Sequence, residues 1–242
     1  MMNIFTKPNA KRSKLILAFS TLSLMLSTFS ACKKTDDTST PISYLSVVNA
    51  SPTVGTYNIY FNDGLVNTSG AISFGGGVNY KQLTPGTYTV KFTTASSIDN
   101  VFSKSVTLSE NAAYSFFLIN KLPTLDGLLV QDDVSGVSTD KGFIRFINLS
   151  PDAPALDLFV TDASTSTISD KAYKSASGFV TVDPKTYSFT VKNKITGATV
   201  GKLDGAVVAA GVHYTIIAKG LINADTEGTD RGFGVQIITN QQ

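Results

Sequence analysis

The sequence, 242 residues long, predicts an all-β protein built as two tandem antiparallel β-sandwich domains. Three observations predict it. Past residue 41 the chain is rich in Thr, Ser, Val, Gly and aromatic residues, a composition suited to strands. These residues fall in short runs that alternate apolar and polar, separated by Gly, Pro and Asn. The chain also repeats itself at an offset of 99 residues, a span that suits a whole domain rather than a solenoid unit.

The first element is a leader. Lys7, Lys11, Arg12 and Lys14 precede the apolar run Leu15–Phe29 with no acidic residue before it, the pattern of an export signal. Its serines and its short length argue against a spanning helix. Cys32, the single cysteine, follows Ser30-Ala31. Ser30-Ala31-Cys32 resembles the lipobox of bacterial lipoproteins, although Phe29 replaces the usual leucine. The resemblance implies a signal peptide over 1–31 and lipidation of Cys32, which anchors the protein to the outer membrane. Several acyl chains hold such an anchor stably where one is marginal. A single cysteine also excludes an intramolecular disulfide, so each domain depends on its core.

Residues 32–41 have no apolar periodicity and are expected to form a short disordered stalk. Its Asp36-Asp37 also resembles the surface-export signal of Bacteroidetes lipoproteins, which would place the protein on the cell surface. Both readings remain open at this point. Without the leader, 16 Lys and Arg stand against 18 Asp and Glu, so the basicity belongs to the leader. No basic patch remains to favour nucleic acid.

The first sandwich is expected over 42–134 and the second over 142–242, joined by the polar linker 135–141. Leu45-Ser-Val-Val-Asn-Ala-Ser-Pro52 matches Ile144-Arg-Phe-Ile-Asn-Leu-Ser-Pro151. Leu45, Val47 and Asn49 share one face, as do Ile144, Phe146 and Asn148; Ser46 and Arg145 point the other way. Each asparagine is placed to satisfy backbone groups as the chain turns, before a proline that stops the strand. Tyr57, Ile59 and Phe61 face the core, with Asn58 and Tyr60 opposite. Asn62-Asp63-Gly64 reads as a hairpin turn in which glycine takes positive φ. Gly75-Gly76-Gly77 reads as a flexible connection.

Pro85-Gly-Thr-Tyr88 and Pro184-Lys-Thr-Tyr187 open further strands, and each tyrosine can bond back across its corner. Phe116–Ile119 and Ile216–Ala218 read as central buried strands, and Gly127–Gln131 and Phe233–Ile238 as closing ones. Asn148–Val160, Pro85–Val90 and the run Leu128-Leu-Val-Gln-Asp-Asp133 resemble the bacterial domain family of unknown function DUF4397. The resemblance covers nearly all residues past the stalk. It implies tandem envelope β-sandwiches of Ig-like or transthyretin-like type, with no assigned catalytic residues.

The inventory of reactive groups is thin. His213 is the lone histidine, at the start of a buried strand, and reads as a strand-entry residue rather than a general base. With it and a lipidated cysteine alone, a zinc site has no ligand set. No cofactor is expected. Asp152 and Asp157, close around a turn, are the candidate calcium ligands. Their counterparts Thr53 and Asn58 exclude a site common to both domains, which leaves calcium to the second domain alone, and Asp152 reads first as a cap of the turn after Ser150-Pro151. Tyr60 and Phe159 recur on the face opposite the core and are the aromatic binding candidates, although pairing with a neighbouring strand explains them too. The functional expectation is a non-catalytic envelope lipoprotein with structural, adhesive or partner-docking roles. The alternative is an accessory binder of polysaccharide or peptide for an outer-membrane uptake system. The expected partners are the membrane, through Cys32, and an envelope protein or glycan.

Overall fold

The computed structural model describes residues 40–161 and 163–241. Cys32, the leader and all of the stalk but its last two residues lie outside the described residues. The first sandwich contains β1 (Ser43–Asn49), β2 (Tyr57–Phe61), β3 (Gly64–Leu65), β4 (Gly77–Leu83), β5 (Gly86–Thr94), β6 (Asn100–Leu108), β7 (Ala112–Ile119) and β8 (Asp126–Asp132). The second repeats the plan with β9 (Gly142–Asn148), β10 (Leu156–Phe159), β11 (Ile168–Lys171), β12 (Val180–Val182), β13 (Lys185–Asn193), β14 (Thr199–Val208), β15 (His213–Lys219) and β16 (Gly234–Asn240). Each sandwich pairs two four-stranded sheets: β4-β1-β7-β8 with β3-β2-β5-β6, and β12-β9-β15-β16 with β11-β10-β13-β14.

Alternation accounts for the cores. Leu45, Val47, Tyr57, Ile59, Phe92, Phe116 and Leu118 are buried together in the first sandwich. Ile144, Phe146, Leu156, Leu158, Phe189 and Ile216 do the same in the second. Truncating such a residue to alanine costs about 2–5 kcal/mol. Phe116 and Ile216 lie on the central strands, as expected.

The local chemistry of the repeat is duplicated bond for bond. The side-chain oxygen of Asn49 accepts from Ser51 N–H at 3.2 Å, and that of Asn148 from Ser150 N–H at 3.1 Å. Ser51 and Ser150 hydroxyls each donate at 2.7 Å, to the carbonyls of Asn120 and Gly220. Tyr88 and Tyr187 hydroxyls each donate at 2.9 Å to a carbonyl four residues back, on Thr84 and Asp183.

Three details depart from the sequence reading. The sheets are not wholly antiparallel: β1 runs parallel to β7, and β9 parallel to β15. The first strand of each domain enters the middle of a sheet, and side-chain period is the same for either strand direction. In the β2–β3 turn the left-handed residue is Asn62, at φ 54°, rather than Gly64. Asparagine tolerates that region because its short amide bonds locally, and Asn62 Oδ1 accepts from Thr89 N–H at 2.9 Å. The Gly75–Gly77 stretch is not a loose connection. Gly75 N–H donates to the Asn49 carbonyl at 2.7 Å, and a Cβ on Gly77 would lie 2.5 Å from the Val47 carbonyl.

The sandwiches belong to one unit spanning Pro41–Gln242. A third apolar cluster joins them, drawing equivalent positions from each: Val48 with Ile147, Ala50 with Leu149, Phe117 with Ile217. The sheets β4-β1-β7-β8 and β12-β9-β15-β16 therefore pack with their outer faces together.

Candidate functional site

Beyond the apolar cluster, the same two faces carry polar residues at equivalent positions. Ser46, Ser115 and Asp132 come from the first sandwich, and Arg145, Thr215 and Asn240 from the second. Arg145 is 2% exposed and Asp132 is 3%. The Arg145 Nη2 donates to Asp132 Oδ1, and its Nε to Thr215 Oγ1 at 2.8 Å. Thr215 donates to Asn240 Oδ1 at 2.6 Å, and the Asn240 amide donates to Tyr80 Oη at 2.8 Å. Tyr80 closes the ring by donating to Asp132 Oδ2 at 2.5 Å, where Ser115 also donates at 2.7 Å. Burial, then the Asp132 charge, push the Tyr80 hydroxyl pKa well above the usual phenol value. A buried ion pair survives only when its remaining hydrogen-bonding capacity is met, and this ring meets it.

Sequence reasoning missed this network. The available signal was an arginine, Arg145, inside an otherwise apolar strand whose repeat partner is Ser46.

A groove of about 480 Å3 adjoins the network. Residues 77–80 of β4 form one wall and residues 236–241 of and beyond β16 the other, with Ser46, Val47 and Val48 at its base. The Gln236 amide donates to the Gly75 carbonyl at 2.9 Å and braces one end, and the Asn240–Tyr80 bond braces the other.

His213 opens β15, as expected, at 5% exposure. Its ring stacks on Phe143 at 4.2 Å and meets the edge of Phe179 at 4.9 Å. Nε2 has no hydrogen-bond partner among the described residues. Burial lowers its pKa below the usual value; Asp133 opposes this and Arg145 adds to it.

The aromatic candidates sit on two different sheets, the ones left outside the domain packing. Tyr60 lies opposite Lys91 on the neighbouring strand, with the ammonium 4.8 Å from the ring centroid. Phe159 carries Lys192 at 4.4 Å. Phe159, Thr190, Ser188 and Lys192 line a shallow depression of about 360 Å3. Both aromatics are half-buried against strand neighbours, so they form two separate places rather than one platform.

Asp152 and Asp157 are held apart by separate duties. Asp152 accepts from the N–H groups of Ile222 and Asn223 at 2.9 and 2.8 Å and from the Ser150 hydroxyl at 3.3 Å. Partial burial opposes its ionisation, but these bonds prevail and lower its pKa. Asp157 accepts from Asp170 N–H at 2.7 Å and faces Lys194 at 3.6 Å. Among the described residues no group of three His, Cys, Asp or Glu side chains is placed to hold a metal ion.

The model of a family described as "Domain of unknown function (DUF4397)" matches residues 43–159. A DUF4397 domain is found there. The match takes in the whole first sandwich and continues through β9 and β10. No curated protein matches the chain. Among solved structures, a family CBM26 module of Eubacterium rectale Amy13K, in complex with maltoheptaose, is 10% identical. That comparison covers 82% of this chain and 98% of the other, at a TM-score of 0.25. A structure described as alpha-glucan binding by a streptococcal virulence factor is 12% identical, covering 67% and 88% at a TM-score of 0.23. Scores this low carry nothing about ligand beyond the DUF4397 assignment.

Proposed function

We propose that the protein is a non-catalytic envelope lipoprotein that presents a fixed pair of sandwiches to a partner protein. Residues 142–242 are, in this reading, a second DUF4397 domain. The observation that carries the reading is the third apolar cluster with its buried Arg145–Asp132 pair. A pair held in this way offers constant spacing between its two outer sheets, which carry Tyr60 with Lys91 and Phe159 with Lys192. Lipidation of Cys32 tethers the pair to the outer membrane, and Asp36-Asp37 directs it to the cell surface. The depression beside Phe159, with its hydroxyls and lysine, favours a second reading as an accessory binder of polysaccharide or peptide.

One experiment separates these readings. Acyl labelling should vanish in Cys32→Ala, and protease should cleave the anchored protein on intact cells. Crosslinking on those cells should then capture a defined envelope protein, lost in a Tyr60→Ser, Phe159→Ser double variant that still melts normally. Saturable binding to a glycan panel, with no crosslinked protein, would replace the docking reading by the second. Undiminished labelling of Cys32→Ala would remove the anchor from both.

A further inference from the structure

The groove between β4 and β16 differs from the equivalent place on the other side of the domain pair. There, Lys174 occupies the position of Gly75 in the repeat, and its ammonium reaches Asp126 Oδ2 at 2.7 Å across the seam. At the first seam the Gln236 amide instead donates to the Gly75 carbonyl at 2.9 Å. Both residues take the same left-handed backbone, at φ 82° for Gly75 and 68° for Lys174, so the two seams differ in side chains rather than in backbone.

The walls of the open groove are strand edges. Successive side chains on a strand point to opposite faces, yet six consecutive residues, 236–241, and four, 77–80, line this one space. Main-chain atoms therefore line it, those of the interior strand β1 at Ser46, Val47 and Val48 included. β4 and β16 are each the last strand of their sheet, so among the described residues each leaves a row of main-chain groups without a strand partner. The sequence of β16, Gly234-Val-Gln-Ile-Ile-Thr-Asn240, has no charge and no proline, the devices that normally blunt an edge. Its repeat partner β8 has an aspartate at either end.

The side chains narrow the ligand chemistry. Ser46, Tyr80 and Asn240 already bond within the buried network, so the main chain and the side chains of Asn79, Thr239 and Gln241 supply the remaining donors and acceptors. The lining residues carry no charge. Lys219, beside Gly75, turns its ammonium onto the Phe74 ring at 3.6 Å. A braced groove of this volume, about 480 Å3, is within the range of preformed ligand sites.

We propose that the groove binds an extended, uncharged segment of a partner polypeptide, which adds to β16 as a further strand. Strand addition draws affinity from main-chain bonds and selectivity from alternate side chains. The site is separate from the outer faces carrying Tyr60 and Phe159, so the two proposals fail independently.

The test is a selection of seven-residue peptides from a displayed library on the mature chain, with fluorescence anisotropy of the synthetic winners. Winners should lack proline and charge. Methylating alternate main-chain nitrogens on the pairing edge should weaken them about tenfold or more, the loss of one to three bonds. Gly75→Lys, which copies Lys174 and pushes on Gln236, and the exposed change Asn79→Lys should each weaken binding similarly, Asn79→Lys with unchanged melting. The inference is overturned if no peptide is selected, if binding ignores methylation, or if it survives both variants. A maltooligosaccharide that competes would assign the groove to a saccharide. A concentration-dependent dimer of the chain, broken by both variants, would assign it to a second copy.

Discussion

Asp132 and Arg145 are the residues whose environment departs most from what their type prefers. Two charges lie inside an interface, and each hydrogen-bonding group around them is shared between neighbours. Removing one partner leaves the other charged and dry. Asp132→Ala should therefore cost about 3–5 kcal/mol in urea unfolding, while the paired change Asp132→Leu, Arg145→Met should cost far less. A single variant as mild as the double would show that the pair is solvated. His213 makes a second case. Its pKa is depressed in the folded chain from 6.5, with Asp133 and Arg145 as the charged groups facing it. Below pH 6.5 the unfolded chain binds a proton that the folded chain resists, so stability falls as pH drops through that point and is level above it. His213→Phe keeps the ring stack and should flatten the slope between pH 5 and 7; an unchanged slope would assign it to other groups. The ion pair was not legible in the residues, because burial against a second domain created it, whereas His213 is covered by Phe143 and Phe179 of its own sandwich.

At the scale of elements, legibility followed locality. The turn after the first strand was readable because the Asn148 oxygen accepts from Ser150 N–H two residues on and its amide donates to the nearby Pro154 carbonyl. The amide also reaches the Lys171 carbonyl from outside the turn. Asn148→Ala should strand these buried groups and cost about 2 kcal/mol or more in denaturant unfolding. A loss under half that would mean water replaces the amide. The tyrosine corners were legible for the same reason, being bonds between residues four apart. The parallel pairing of β1 with β7 was not, since it joins residues some 70 positions apart and alternation carries no direction. The open edge of β16 became visible only when strand order placed it last in its sheet.

The two sandwiches are joined by a third cluster buried as deeply as their own cores. Phe117, Ile119, Ile147 and Ile217 are each at most 1% exposed, comparable with either sandwich core. Salt bridges from Lys121 to Asp230 and from Lys174 to Asp126 flank it, and Asp126 is held near a pKa of about 2 despite partial burial, by Lys174, the Gly127 N–H and Lys104. Calorimetry of residues 41–242 should show a single unfolding transition. Ile217→Asp, which buries an unpaired carboxylate in that cluster, should split it into two. Two transitions in the unchanged protein would mean that the sandwiches fold independently.

By itself the sequence determined two sandwiches, the inward face of each main strand, the central and closing strands and the asparagine and tyrosine corners. Those features follow from period and from contacts within a few residues. Tertiary structure decided what the opposite faces do. Alternation says which side chains leave a core; it does not say whether they meet water or another sheet. Ser46 and Arg145 point away from the core in the sequence, and the fold buried both, with Ser115 and Thr215, in the network around the ion pair. The same packing bridged one seam by Lys174 to Asp126 and the other by Gln236 to the Gly75 carbonyl.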